Sequence, residues 1–362
     1  MDTPELHSDE EWPYVVSLLP PDLEETAKKK EALVRRRNIP SASALVRLAL
    51  AYAVSDSSLK DVAAWAGAMG VAKITGPGLF YRLREAEKWL EQVLAQTLKD
   101  EVRKGPQGLR VRVVDATVLT GPGAKGTEFR VHVLSNPATG CLEAVNITDE
   151  HGGEGYGRHP IEAGDVVLGD RGYATARGIL AVREADAHVV VRLNPHAIRV
   201  CGEDGKAVSL LDKEKQVPKV GVLEFNLMVP VPPEKQTKSH KTWDIRNTIA
   251  WVPVRVVAAR TRSGGVIWML TTLPSDRLPA PEVLKLYRFR WQIELLFKRL
   301  KSLLHMDALP SPQRGPTAKT WVLAKLLAAA LAQKLVRPSG PFSPWGYEIQ
   351  QKWIYSQRLV SL

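Results

Sequence analysis

Tyr287-Arg-Phe-Arg-Trp-Gln-Ile-Glu-Leu-Leu-Phe-Lys-Arg-Leu-Lys301 is the stretch from which the rest of the chain is read. Relative to Tyr287, the residues Arg290, Glu294 and Lys301 stand at offsets of 3, 7 and 14. At about 100° per residue, all four fall within roughly 60° of one another on a helix surface. Leu286, Phe289, Ile293, Phe297, Leu300 and Leu304 make an adjacent apolar stripe. The spacing predicts a helix from Pro281 to about Leu304, anchored in a core. Its edge carries a phenol, a guanidinium, a carboxylate and an ammonium, with Lys298 close beside them. On an arbitrary helix the same pattern describes a solvated face with Arg290 and Glu294 as an i,i+4 ion pair.

Upstream, apolar and polar residues alternate in Leu109–Asp115, Phe129–Leu134 and Cys141–Ile147, which is the strand period. The turn Asn136-Pro-Ala-Thr-Gly140 joins the last two. Asp165–Asp170 reads as a short buried strand, Thr175–Ala185 as a helix and His188–Leu193 as another strand. Three strands in a meander followed by strand, helix and strand suit a ribonuclease-H-like α/β sheet. Residues 195–278 interrupt that order with Pro-rich and Lys-rich stretches and further strands, Ile249–Ala259 and Val266–Thr272. They are expected to form a β-rich insertion.

The first 105 residues read as helical. Residues 43–56 are rich in Ala and Leu without a breaker, and Ser58-Leu-Lys-Asp61 resembles a capping box. A long amphipathic helix is expected from Phe80 to Leu98, carrying Arg82, Arg84 and Lys88; basic clusters also lie at Lys28–Lys30 and Arg35–Arg37. Short helices with Gly-containing turns suit a helix-turn-helix-like DNA reader, although a plain helical bundle has the same texture. The expected organisation is therefore a helical DNA-binding domain at 1–105, a catalytic core at 106–194 and 279–336, the insertion at 195–278 and a tail at 337–362.

With 50 Lys and Arg against 39 Asp and Glu, the net charge is +11, which points to a polyanionic partner. The two cysteines, Cys141 and Cys201, lie in no CxxC pair, so neither a disulfide framework nor a Cys-ligated zinc site is expected. The acidic start MDTPELHSDEEWPY lacks the apolar core of a signal peptide. Trp321–Val336 is too short and too interrupted by Lys325, Gln333 and Lys334 to span a bilayer, and reads as a buried helix.

The pattern Tyr-x2-Arg-x3-Glu-x6-Lys closely resembles the signature helix of the cut-and-paste DDE transposases named after insertion sequence four. Val113-Val-Asp-Ala-Thr117 resembles the first catalytic strand of that family, and Val167-Leu-Gly-Asp-Arg-Gly-Tyr173 its second catalytic motif. Pro122–Arg130 and Thr148–Gly153 resemble its intervening segments, so the likeness covers roughly residues 40–335. It implies that Asp115, Asp170 and Glu294 are the catalytic carboxylates and hold two Mg²⁺ ions, for which Mn²⁺ can substitute. Phosphoryl transfer at a DNA backbone suits such a pair of ions, and magnesium suits hard carboxylate oxygens. Tyr287, Arg290, Lys298 and Lys301 would hold phosphates near the cut end, positioning the DNA rather than reading it. Trp268 would stack on a base flipped out of the duplex. The implied partners are double-stranded DNA, both terminal inverted repeats and target, and a second copy of the chain in a DNA-bound homodimer. The implied setting is a bacterial-type cytoplasm, at the nucleoid. A nuclease that cuts without joining, or a DNA-binding protein without catalysis, are the alternatives.

Overall fold

The computed structural model describes residues 11–55, 57–99, 109–121, 126–233, 244–307, 309–310, 315 and 317–335. The tail expected at 337–362 lies outside them.

Helices α1 (Glu11–Ser17), α2 (Leu23–Lys29), α3 (Ala42–Val54), α4 (Leu59–Ala68), α5 (Gly76–Glu85) and α6 (Glu87–Leu98) make up the N-terminal segment. Ser58 caps α4, its Oγ accepting from the Asp61 N–H at 3.2 Å. The Asp61 carboxylate accepts a hydrogen bond from the Ser58 hydroxyl at 2.6 Å instead of reaching back to the cap's own N–H. The long helix expected from Phe80 breaks at Ala86, which ends α5 and starts α6. Ala86 is fully buried, so the elbow is set by packing and not by a breaker residue.

Strands β1 (Arg110–Leu119), β2 (Phe129–Asn136), β3 (Cys141–Thr148), β4 (Asp165–Gly169), β5 (His188–Arg192), β6 (Leu223–Val231), β7 (Ala250–Arg260) and β8 (Val266–Thr271) form one sheet, in the order β3-β2-β1-β4-β5-β8-β7-β6. The fold is mixed α/β. β1, β2 and β3 are antiparallel neighbours, as the meander requires. β4 runs parallel to β1, and β5 parallel to β4 through the crossover helix α7 (Ala176–Glu184). The segment expected as an insertion builds no sheet of its own. Its β8 pairs antiparallel with β5, and β7 and β6 follow outward. β5 is a buried Val run, and β8 covers the edge it would otherwise leave unpaired.

Alternate residues of the strands feed two cores. One face carries Val111, Val113, Leu168, Val190 and Met269, covered by α3, α6 and three C-terminal helices: α8 (Ala280–Tyr287), α9 (Trp291–Leu304) and α10 (Ala318–Leu335). The other carries Val114, Val167, Val189, Val191, Trp268 and Leu270, with α7 against it. α10 is buried nearly all round, as the apolar stretch predicts. It is also the seat of the N-terminal helices. Thr320 Oγ1 donates to the Leu83 carbonyl at 2.9 Å, Lys334 Nζ to the Leu18 carbonyl at 3.2 Å, and Lys319 pairs with Glu87 at 3.3 Å. Among the described residues no helix is long and apolar enough to cross a membrane.

Candidate active site

β1 and β4 place the first two acids. Their parallel register aligns Val113 with Leu168. Two residues further on, this brings Asp115, midway along β1, beside Asp170, which directly follows the carboxyl end of β4, on one face of the sheet. Ligands of open α/β sheets characteristically bind at such ends. Asp115 shares the parity of Val111 and Val113, so it points to the face that α9 covers. Asp170 ends its strand by capping a 3₁₀ turn, its Oδ1 accepting from the Gly172 N–H at 2.8 Å.

α9 brings the third acid. The helix expected to run unbroken from Pro281 is interrupted by a 3₁₀ turn at Arg288–Arg290, between α8 and α9. A 3₁₀ turn advances about 120° per residue instead of 100°, so Tyr287 rotates relative to Glu294. Tyr287 is half-buried and Arg290 packs over its ring, 5.8 Å from the centroid. The Arg290 guanidinium spans the site: one nitrogen bonds Glu294, and another lies 3.5 Å from Asp115 Oδ2. Asp115, Arg290 and Glu294 are thus brought together, with Asp170 beside them. Lys301 is half-buried and Lys298 exposed further along α9.

The electrostatics identify a residue that sequence reasoning missed. Glu154 follows β3 and faces Asp170. A Cβ built on Gly172 would sit 2.3 Å from Glu154 Oε2 and 3.2 Å from Asp170 Oδ1. A side chain there would have to displace the Glu154 carboxylate, so the two carboxylates crowd the same spot. Burial pushes Asp115 up to about 6, and the charges of Asp170 and Glu154 push the same way; the Ala116 N–H and Arg290 oppose them. Glu154 is also raised, by burial and then by Asp170, with Arg130 opposing from 4.0 Å. Like charges held together with so little compensation favour a cation. Among the described residues, no three His, Cys, Asp or Glu side chains are drawn close enough to hold a metal ion as they stand. Asp115, Asp170 and Glu154 nevertheless offer the hard oxygens that magnesium takes. Glu294 would join them by turning from Arg290, and its side chain is 59% exposed and able to do so.

Trp268 requires a correction. It lies on β8 with only 3% of its surface exposed, packed in the core with Leu270 and Val191. Its neighbour Met269 belongs to the opposite core, the one that α9 and Asp115 face. The strand alternation therefore turns the indole away from the carboxylates, and no face of it is open to a base. The exposed tryptophan near the site is Trp291, the first residue of α9, at 45%.

A family model described as "Transposase DDE domain" matches residues 106–331, which contain all of these carboxylates. The chain belongs to the DDE transposase family. It is 34% identical to the transposase for insertion sequence element IS421 of Escherichia coli, over 93% of this chain and 97% of that one. It is 33% identical, at the same coverage, to "Putative transposase InsL for insertion sequence element IS186A" of Escherichia coli K12. A more distant likeness is a structure of the piggyBac transposase synaptic complex with hairpin DNA. That structure has 9% identity and a TM-score of 0.45 over 88% of this transposase and 72% of the other chain.

Proposed function

We propose that this transposase binds the terminal inverted repeats of its element, cleaves the ends and joins the freed 3′ ends to target DNA. Asp115, Asp170 and Glu294 are the catalytic carboxylates in this reading, with Glu154 beside them. The observation that carries it is the β1–β4 register, which sets Asp115 beside Asp170 on the face where α9 presents Glu294. The order β3-β2-β1-β4-β5, three antiparallel strands followed by two parallel ones, supports a ribonuclease-H-like core. The Tyr-x2-Arg-x3-Glu-x6-Lys helix supports the cut-and-paste type named after insertion sequence four.

The carboxylates would hold two Mg²⁺, which supply charge neutralisation at phosphorus and activation of the attacking oxygen. The chain's own groups do the rest. Arg290, once exchanged from the carboxylates to a DNA phosphate, fixes the backbone, and Lys301 and Tyr287 flank it. A positioned backbone converts the attack into an effectively intramolecular step. Two ends must be held together for joining, so the working form is a DNA-bound homodimer. The N-terminal helices would recognise the repeat.

The test is incubation of the full chain with supercoiled DNA bearing its element's ends, with and without Mg²⁺. Nicked and joined products are expected only with the ion. Asp115→Asn, Asp170→Asn and Glu294→Gln should each abolish them while a gel shift still detects end binding. Near wild-type cutting by any one of these variants removes that residue from the catalytic set, and cutting without joining would make the chain a nuclease.

A further inference from the structure

Two basic stretches, some fifty residues apart in sequence, meet on one groove of the N-terminal helices. The first follows α2. That helix ends in a reversal in which the Ala32 N–H donates to the Ala27 carbonyl at 2.9 Å and Glu31 takes a left-handed φ of 60°. Ala32 and Leu33 are buried, pinning the returning chain so that Lys30 and Arg35 stand exposed on one wall. The second wall is the elbow at Ala86, which presents Arg84 from the last turn of α5 and Lys88 from the first turn of α6. The groove between them has a volume of about 660 Å³.

Its charge is not internally balanced. The carboxylates lining it are Glu31, Glu85 and Glu87. Glu85 is taken by Arg82 at 3.0 Å and Glu87 by Lys319 at 3.3 Å. That leaves Lys30, Arg35, Arg84 and Lys88 against Glu31 alone. Arg84 lies over the exposed Tyr81 ring, 5.0 Å from its centroid, an arrangement that leaves the guanidinium charge uncompensated. Val34 is the one apolar side chain in the lining, and it is 58% exposed. Small-molecule sites are mostly apolar and enclose their ligands. An open groove with four exposed cations instead fits a polyanionic ridge, and duplex DNA offers about one charge per 1.7 Å of axis.

We propose that this groove seats the sugar–phosphate backbone of double-stranded DNA, with Lys30, Arg35, Arg84 and Lys88 holding the phosphates. The choice of DNA over other polyanions rests on the transposase reading; the groove's own anion binding does not. Phosphate contacts of this kind fix position and orientation and carry no sequence information themselves.

The experiment measures the affinity of the full chain for two duplexes, one with the element's ends and one of arbitrary sequence, as a function of salt. Replacing Lys30, Arg35, Arg84 and Lys88 together by Ala should reduce the log–log salt slope by about 0.9 for each phosphate no longer engaged, roughly three to four in all. An equal reduction on both duplexes supports general backbone binding. A reduction confined to one duplex supports the groove and assigns it to the element end or to the target. An unchanged slope on both overturns the proposal.

Alkylation keeps it falsifiable should the quadruple variant fold poorly. The native cysteines Cys141 and Cys201 are both buried, so a thiol introduced by Lys88→Cys is the one accessible among the described residues. Saturating duplex should slow its alkylation at least tenfold, and an unprotected thiol overturns the proposal. Failure of the cleavage reading is separable. It would show as cutting that survives Asp115→Asn, whereas failure of the groove shows as an unchanged salt slope and an unprotected thiol.

Discussion

Arg290 occupies the gap between two carboxylates that the proposed chemistry needs free, bonded to Glu294 and 3.5 Å from Asp115. Even so, it does not compensate Asp115, whose carboxyl is pushed up to about 6 by burial and by the charges of Asp170 and Glu154. A carboxyl whose folded value lies above its unfolded one binds more protons in the folded state. Its charge therefore costs stability at neutral pH, and the cost is relieved as pH falls through about 6 towards 3.8. Asp115→Asn should accordingly stabilise the fold at pH 7.5, by about 2–3 kcal/mol at 1.36 kcal/mol per unit, while abolishing cleavage. The gain should fade by about pH 4, and thermal melts across that range with no such gain would mean that Asp115 is compensated by a group other than Arg290. The sequence singled out Asp115, Asp170 and Glu294 as candidates because each sits in a local string with fixed neighbours, and the fold brings Asp115 and Asp170 together with Arg290 and Glu294. Glu154 was not legible: it is one carboxylate among 39 acidic residues and gains its place only when β3 and β4 are folded into one sheet. The base-stacking role that the resemblance implies for Trp268 meets a strand parity that the sequence alone leaves open, and β8 turns the indole into the core. A shift of one residue reverses which face a side chain takes. Trp268→Ala should lose about 3–5 kcal/mol of stability, as a buried aromatic does, and impair binding and nicking together. Selective accumulation of a nicked intermediate, partly rescued by an abasic site, would restore the base-stacking role.

The register of β1 against β4 matters more to the site than any single loop, because it aligns the two aspartates. It is fastened at the other end of the pair. Asp165, fully buried at the start of β4, bonds Arg110 and lies 3.3 Å from Arg112, both on β1; Arg112 also meets Glu143 of β3 at 2.9 Å. Removing one partner of a buried ion cluster leaves the others uncompensated, which costs about 3–5 kcal/mol. Asp165→Ala is therefore expected to destabilise the fold by that amount in a denaturant titration, and a loss under about 1 kcal/mol would show the register to be held by the backbone ladder alone. Most elements were legible from period and punctuation, including the meander, β4, α7 and α10. The exceptions have a common cause. The break at Ala86 and the 3₁₀ turn at Arg288–Arg290 carry no Gly or Pro, so packing and not local chemistry decides them. The strands expected at Ile249–Ala259 and Val266–Thr272 are present as β7 and β8, but β8 pairs with β5 and so joins them to the main sheet, and pairing of that range leaves no mark in a single strand.

At the scale of the molecule, the N-terminal helices and the last described helix are one body. Residues of α3, α5, α6 and α10 share a core, and α10 reaches back to Leu18, Leu83 and Glu87 through Lys334, Thr320 and Lys319. The helical segment expected at 1–105 is thus continuous in sequence but completed in space by residues 318–335. This bears on whether it can bind DNA by itself. Isolated, it would expose the faces of α3 and α6 that pack against α10, in a core where Leu45, Leu48, Leu83 and Leu90 are all at most 1% exposed in the whole chain. Burial contributes about 25 cal/mol per Å² of apolar surface, so losing a whole helix partner removes several kcal/mol from a small domain. Small domains have little stability in reserve. A fragment of residues 1–105 is therefore expected to be partly unfolded or to associate through the uncovered face. The same fragment joined by a flexible linker to residues 317–336 should melt cooperatively and bind duplex DNA with a steep salt dependence. Circular dichroism and sedimentation of both fragments decide it: a monomeric, cooperatively melting 1–105 fragment would show that α10 is a guest of the N-terminal helices and not their keystone.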